Sequence, residues 1–142
     1  MGRAGSPNWS TFYVTGGGSG IGAHLATLMA ARGADVAVFD RRFPDDVRAR
    51  IEASRVAGKQ RVCFAETDVC DADGLAEAVG MVFGRLGPPG LAINSAGVSL
   101  NDRFAEARQV DFERTVEVNL FGSRNFAAAV LPHMHPGSRL GL

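Results

Sequence analysis

The chain has few of the features that mark secreted or membrane proteins. Its two cysteines, Cys63 and Cys70, are too few for a disulfide scaffold, and their spacing matches no common zinc or redox motif. We therefore expect two reduced thiols, no metal site and a cytoplasmic protein. No apolar run is long enough to cross a bilayer, and no signal-peptide pattern is present, so neither a membrane span nor a leader is predicted.

Excess charge of either sign is also lacking. Fifteen basic and fifteen acidic residues give a formal net charge of zero, so neither nucleic acid nor an anionic membrane is expected as a partner. Lysine and tyrosine are scarce, since Lys59 and Tyr13 are the only examples. The length of 142 residues, with 46% hydrophobic and 21% charged residues, is typical of one globular domain.

Strand-like and helix-like segments alternate along the chain. Short β-branched or apolar runs predict strands at residues 11–15, 36–39, 61–65 and 91–94. Helical spacing predicts helices at residues 21–32, 45–57, 71–86 and 110–134, and residues 98–108 are expected to form a loop with a helical turn. This alternation indicates an α/β fold with parallel strands and right-handed crossovers. Residues 1–10 are predicted to be a flexible arm, and residues 11–142 one domain.

A glycine-rich turn, Thr15-Gly16-Gly17-Gly18-Ser19-Gly20-Ile21-Gly22, joins the first strand to the first helix. Glycines allow a tight turn and the close approach of a pyrophosphate, which the free N–H groups of the helix N-terminus then bind. A turn without a ligand is the alternative, but the position between strand and helix favours a dinucleotide site. The turn lacks Gly-Lys-Ser/Thr, so it is not the phosphate loop of an ATPase.

An acidic residue, Asp40, ends the second strand near the offset of roughly 20 residues that is expected for a ribose-binding carboxylate. Such a carboxylate accepts hydrogen bonds from the 2′ and 3′ hydroxyls and repels a 2′-phosphate, which favours NAD over NADP. Arg41 and Arg42 follow directly, and a guanidinium there could pair with a 2′-phosphate, so NADP stays open. A solvated strand-end carboxylate without a ligand is the alternative.

These motifs resemble those of the short-chain dehydrogenase/reductase family, whose fingerprint is Thr-Gly-x-x-x-Gly-x-Gly. Three further segments match in the right order: Asp68-Val69, Asn94-Ser95-Ala96-Gly97, and Asn119 within Val118-Asn119-Leu120-Phe121-Gly122. The resemblance covers residues 11 to about 140. It implies a truncated Rossmann-type doubly wound parallel sheet of strand order 3-2-1-4. The fourth strand is expected to be an edge, with residues 137–140 as the first residues of a fifth.

The resemblance also implies roles for individual residues. Asp68 would bind the adenine amino group, with the backbone of Val69 also on the ring. The turn that begins at Asn94 would contact a cofactor ribose, with Ser95 in place of the family's second Asn. Asn119 resembles the helix-borne catalytic Asn that holds a water in the proton relay. The complete cofactor-binding set is expected to be Gly16, Ser19, Gly20, Ile21, Gly22, Asp40, Arg41, Asp68, Val69, Asn94, Ala96 and Gly97.

The implied function is that of an NAD(P)-dependent oxidoreductase, which transfers hydride between a nicotinamide and a small-molecule alcohol or carbonyl. The resemblance also implies a homo-oligomer. In the family a Ser and a Tyr-x-x-x-Lys motif complete the chemistry. Tyr13 and Lys59 lie too far apart to form that motif, and Ser138 precedes the expected fifth strand. We therefore expect a cofactor-binding half that is inactive alone; the alternative is a non-catalytic dinucleotide-binding fragment or truncated isoform.

Overall fold

The structure, a computed structural model, describes residues 9–56, 58–99 and 103–142. Residues 1–8 of the predicted arm and residues 100–102 of the predicted loop lie outside the described residues. The strands are β1 (Thr11–Thr15), β2 (Asp35–Asp40), β3 (Val62–Glu66), β4 (Leu91–Asn94) and β5 (Arg139–Gly141). The helices are α1 (Gly20–Ala31), α2 (Asp45–Ala53), α3 (Ala72–Leu86), α4 (Gln109–Val116) and α5 (Gly122–Val130).

The strands form one parallel sheet of order β3-β2-β1-β4-β5. The predicted order 3-2-1-4 is confirmed, but the expectation that β4 is an edge strand is wrong. The three residues of β5 pair with β4 in the register Leu91↔Arg139 to Ile93↔Gly141. A turn at Gly137, where φ is 96°, and the hydrogen bond from Ser138 Oγ to Pro89 O (2.9 Å) bring this short strand into place.

Helices cover both faces of the sheet. Every residue of β1 is buried, as expected for a central strand, and its side chains alternate between the two faces. Phe12 and Val14 belong to one apolar cluster with residues of α1 and α2. Tyr13 belongs to a second cluster with residues of α3 and α5. The doubly wound arrangement is confirmed, and it brings the carboxyl ends of the strands to one edge, where such folds bind ligands.

Several element boundaries differ from the predictions. The second helix ends at Ala53, four residues earlier than predicted. The helix predicted over residues 110–134 is present as α4, a π-helical turn at Glu117–Phe121, α5 and a 3₁₀ turn at Leu131–His133. Asp71 caps α3 by accepting a hydrogen bond from Gly74 N over 3.0 Å. Within the described ranges, no helix has both the length and the hydropathy that a bilayer crossing requires.

Candidate functional site

A cleft of about 370 Å³ opens at the carboxyl edge of the sheet. Most of the residues that were predicted to bind a cofactor line it: Gly16, Ser19, Gly20, Ile21, Asp40, Arg41, Asp68, Val69, Ala96 and Gly97. Gly22, Asn94 and Asn119 do not line the cleft. Their contacts, described below, place them in the layer that supports its wall.

The glycine-rich turn packs tightly on one side and is open on the other. A Cβ atom on Gly16, where φ is 66°, would lie 2.7 Å from Ala96 N, and one on Gly22 would lie 2.2 Å from Gly16 O. Neither position therefore accepts a side chain without movement of backbone. A Cβ atom on Gly20, where φ is 51°, would have no neighbour within 4 Å, so this part of the turn faces open space in the cleft.

The N-terminus of α1 faces the same cleft. Ser19 is the N-cap residue, but its side chain makes no capping hydrogen bond, and the first turn holds no acidic residue. The bond from Ala23 N to Ser19 O (3.1 Å) begins the helical ladder, so the N–H groups before Ala23 have no helical carbonyl to bond. These donors and the positive end of the helix dipole suit an anion at Gly20.

The Asp40 carboxylate forms the next part of the wall. Its Oδ2 atom accepts a hydrogen bond from Gly18 N (2.8 Å), and its Oδ1 atom accepts one from Arg41 N (2.7 Å). A Cβ atom on Gly18 would lie 2.9 Å from Asp40 Cγ and 2.4 Å from Arg42 O. The carboxylate is thus fixed beside the glycine-rich turn. Because an ionised carboxylate has about four lone-pair sites, it keeps acceptor capacity toward the cleft.

Asp68 lies at the far end of the cleft. Its Oδ1 atom accepts a hydrogen bond from Cys70 N (2.9 Å), and its Oδ2 atom lies 3.4 Å from Arg41 Nε. Burial, the negative charges of Asp68 and Glu117 and a hydrogen bond with Asp68 raise the pKa of the Cys70 thiol to about 11, against a smaller lowering by Arg114. Cys70 therefore stays a neutral thiol at neutral pH. Both cysteines are free, as predicted.

Helix α5 packs against Val69 and forms a hydrogen bond with its backbone. The Val69 carbonyl oxygen accepts a hydrogen bond from the buried Asn125 Nδ2 (2.9 Å). A Cβ atom on Gly122 would lie 2.6 Å from Val69 Cγ2, so this glycine permits the close approach of α5. The carbonyl oxygen of Val69 is thus engaged within the protein, while the residue also lines the cleft.

The turn after β4 is fixed by Thr15, the last residue of β1. Thr15 Oγ1 accepts hydrogen bonds from Ser95 N and Ala96 N, each 3.2 Å long, and donates a short hydrogen bond to Asn94 Oδ1. Asn94 Nδ2 in turn donates to Ser123 Oγ over 3.0 Å. Asn94 therefore joins β1, β4 and α5, and supports the turn that presents Ala96 to the cleft.

Asn119 holds the segment that follows this turn. Its Oδ1 atom accepts a hydrogen bond from Val98 N and its Nδ2 atom donates one to Val98 O, each 2.8 Å long. The residue lies in the π-helical turn, and its carbonyl oxygen accepts a hydrogen bond from Ser123 Oγ (2.6 Å). π-Helical turns are often found at functional sites. In this structure, the Asn119 side chain positions Val98, which lines the cleft.

Six residues that line the cleft were not in the predicted cofactor-binding set: Phe39, Thr67, Ser95, Val98, Arg114 and Val118. Thr67 could have been found, because it follows β3 at the carboxyl edge of the sheet. Arg114 and Val118 reach the cleft only because α4 and the π-helical turn cross over its end. No local sequence motif predicts that packing.

Tyr13 and Lys59 do not line the cleft. The Tyr13 side chain is fully buried, and its hydroxyl donates a hydrogen bond to Gly87 O over 2.8 Å. Burial, and to a smaller extent the nearby Cys63, raises the pKa of Tyr13 above its ordinary value. The interpretation of Tyr13 as a packing residue is confirmed. In the part of the chain that the structure describes, no three His, Cys, Asp or Glu side chains are grouped to hold a metal ion.

Known proteins are similar in sequence to this chain along most of its length. The profile of the family described as short chain dehydrogenase matches residues 10–141. A glycine betaine reductase of Emericella nidulans is 36% identical over 123 residues, which are 85% of this chain and 9% of that protein. Momilactone A synthase of Oryza sativa subsp. japonica is 36% identical over 130 residues, which are 88% of this chain and 46% of that protein.

Solved structures show the same fold. A short-chain dehydrogenase/reductase from Serratia marcescens superposes with a TM-score of 0.80 at 26% identity, covering 92% of this chain and 53% of that one. A carveol dehydrogenase from Mycobacterium avium gives a TM-score of 0.76 at 23% identity over 87% of this chain and 48% of that one. The chain thus spans about half the length, or less, of these relatives. It belongs to the short-chain dehydrogenase family of oxidoreductases, whose members bind NAD(P).

Proposed function

We propose that this chain binds NAD and forms the cofactor-binding part of an oxidoreductase that acts on an alcohol or a carbonyl group. The observation that carries the proposal is the Asp40 carboxylate, fixed beside the glycine-rich turn by Gly18 N and exposed to the cleft. A pyrophosphate fits at Gly20 and a ribose at Asp40. Both positions line the same cleft, as binding of the adenosine half of a dinucleotide requires.

The other parts of the cleft complete the fit. Asp68 and the N–H of Val69 offer an acceptor and a donor to the edge of an adenine ring. At the opposite end, Ile21 has an exposed fraction of 74%, and the backbone of Ala96 and Gly97 borders the same space. These residues would receive the nicotinamide half. The cleft thus provides polar groups at one end and an apolar surface at the other.

Charge at the ribose position favours NAD over NADP. A 2′-phosphate would bring at least one negative charge against the Asp40 carboxylate, which the fold holds in place. Arg41 could compensate that charge, but its Nε atom lies 3.4 Å from Asp68 Oδ2. The charge of Arg41 is therefore already partly balanced by Asp68. We therefore propose NAD as the cofactor, with NADP binding more weakly.

The cofactor, when bound, supplies the hydride that the reaction transfers. The residues of this chain bind and orient the cofactor through the glycine-rich turn, Asp40 and the turn after β4. The only tyrosine, Tyr13, is buried with its hydroxyl bonded to Gly87 O, and the only lysine, Lys59, does not line the cleft. Neither side chain is therefore placed to transfer the substrate proton. We assign cofactor binding to this chain, and we assign the hydride-transfer activity and the choice of substrate to the whole protein.

A second candidate function is dinucleotide binding without catalysis, for which the cofactor cleft of this chain is sufficient. Both candidates predict NADH binding by this chain. They differ in whether a longer form of the protein reduces carbonyl compounds with NADH. A longer form that binds NADH but turns over no carbonyl or alcohol would support the second candidate.

The experiment that tests the proposal is a fluorescence titration of the 142-residue chain with NADH and with NADPH. We expect saturable binding and a lower Kd for NADH. Asp40→Asn keeps an acceptor for Gly18 N but removes the charge, so we expect NADH affinity to fall about tenfold and the preference over NADPH to shrink. Glu77→Gln, an exposed α3 residue outside the cleft, is the matched control. A folded chain that binds neither nucleotide would contradict the proposal.

A further inference from the structure

We infer that Arg114 is a cofactor-binding residue of the cleft, whose guanidinium packs on the face of the adenine ring. The inference rests on the proposed function, because it needs a dinucleotide in the cleft. None of the motifs of the sequence includes Arg114. It would act at the adenosine end only, and it would leave the nicotinamide half unaffected.

Arg114 shares a helix face with a second residue of the cleft. Arg114 lies in α4, and Val118 lies four residues further along, in the π-helical turn that continues the helix. Residues at this spacing share one helix face, and both line the cleft. Val118 is buried, whereas Arg114 is exposed. The helix thus contributes the apolar Val118 side chain and the cationic Arg114 side chain to the cleft, next to each other.

The packing of Val118 shows at which end of the cleft this helix face lies. Val118 belongs to one buried cluster with Val69, the residue that follows Asp68, and all three line the cleft together with Arg114. The helix face that carries Arg114 therefore borders the proposed adenine position. The proposed pyrophosphate position is at Gly20, on the N-terminus of α1, where the helix N–H groups supply the donors. Arg114 is thus placed for the base.

Among the described residues, the Arg114 guanidinium makes no hydrogen bond and no ion pair, whereas the Nε atom of Arg41 on the same cleft lies 3.4 Å from Asp68 Oδ2. A planar guanidinium stacks on aromatic faces, and the attraction grows when the pair is desolvated. A base lying on Val118 would leave its outer face open to such a contact. Asp68 would still accept from the edge of the base, so edge and face recognition are compatible.

The test is a titration of the 142-residue chain with NADH, NADPH, AMP and reduced nicotinamide mononucleotide. At about 1 M salt, the Debye length is about 3 Å, so general attraction between charges is suppressed. We expect Arg114→Gln to weaken NADH and AMP by a similar factor, about 3- to 10-fold, and to leave the mononucleotide unchanged. Arg50→Gln, an exposed α2 residue outside the cleft, removes the same charge and should change none of these affinities.

Three outcomes would overturn the role of Arg114. If the unaltered chain binds NADH and Arg114→Gln binds it equally well, the role is wrong and the proposed function stands. If the loss is confined to NADPH, Arg114 binds a 2′-phosphate and not the base. Absence of NADH binding by the folded, unaltered chain would contradict the proposed function itself, and the role of Arg114 with it. An unchanged Tm of the variant shows that the affinities compare folded proteins.

Discussion

The backbone N–H of Gly18 donates a hydrogen bond to Asp40 Oδ2 over 2.8 Å, so the glycine-rich turn and the end of β2 form one structural unit. The approach is possible only because residue 18 has no side chain. A Cβ atom there would lie 2.4 Å from Arg42 O. The turn that is proposed to bind the pyrophosphate and the carboxylate that is proposed to bind the ribose are therefore fixed relative to each other before any ligand arrives.

This relationship predicts the effect of Gly18→Ala. The added methyl group must push the Arg42 backbone and Asp40 away, which we expect to lower the free energy of unfolding by about 1–3 kcal/mol and to weaken NADH binding. Urea unfolding and NADH titration measure the two effects. Gly80→Ala is the control, because Gly80 lies inside α3 and a Cβ atom there would have no neighbour within 4 Å. This substitution should stabilise the chain by about 0.5–1 kcal/mol. Unchanged stability and NADH affinity in Gly18→Ala would contradict the prediction.

Gly122→Ala tests the support behind Val69. The new methyl group would lie 2.6 Å from Val69 Cγ2, so Val69 or α5 must move. We expect a loss of about 1–3 kcal/mol in the free energy of unfolding and weaker binding of AMP and NADH, because Val69 borders the proposed adenine position. Gly84→Ala, which adds a methyl group to α3 without a neighbour within 4 Å, is the control. Equal AMP affinity in both variants would show that Val69 does not contribute to the site.

Asn119→Ala tests the attachment of Val98. The substitution removes both hydrogen bonds to the Val98 backbone, so we expect faster hydrogen exchange at the Val98 amide, by about tenfold. NADH affinity should fall as well, since Val98 lines the cleft. Asn119→Asp keeps an acceptor for Val98 N and should show the smaller change in exchange. An exchange rate at Val98 that is the same in all three proteins would contradict this role.

The sequence predicted the parts of this site that depend on local chemistry. The bounds of β1 and β4 are as predicted, because glycine-rich turns and short apolar runs delimit them. Neither the π-helical turn nor the partner of Asn119 was predicted, and Val98 lies on a segment that only tertiary packing brings near. Residues 137–140 were predicted to begin a fifth strand, but the pairing of β5 with β4 was missed, because a three-residue strand has no periodicity. Its place depends on the unpaired edge that β4 offers.

Tyr13 provides a pH-dependent test of the core. Its pKa is raised in the folded chain, so the unfolded chain releases the phenol proton first. The contribution of Tyr13 to stability is therefore complete below about pH 10 and is lost as the pH rises above that value, by at most about 1.4 kcal/mol per pH unit. Urea unfolding at pH 8 and pH 11 should show a larger loss for the unaltered chain than for Tyr13→Phe.

The Tyr13→Phe variant also distinguishes an effect on core stability from an effect on cofactor binding. At pH 8, Tyr13→Phe removes the hydrogen bond to Gly87 O, and we expect a cost of about 1 kcal/mol in the free energy of unfolding. NADH affinity should be unchanged, because Tyr13 does not line the cleft. An equal loss between pH 8 and pH 11 in both proteins would show that the phenol is not protected by burial.

In the proposed function, the cleft at the carboxyl edge of the sheet binds a dinucleotide. NMR chemical-shift mapping of the isotope-labelled chain during an NADH titration tests this binding most directly. We predict saturable shifts of the backbone amides of Gly18, Gly20, Val69 and Ala96, and no shifts at Gly80 on the outer face of α3. Shifts that are absent in a folded sample, or that cluster away from the cleft, would contradict the account.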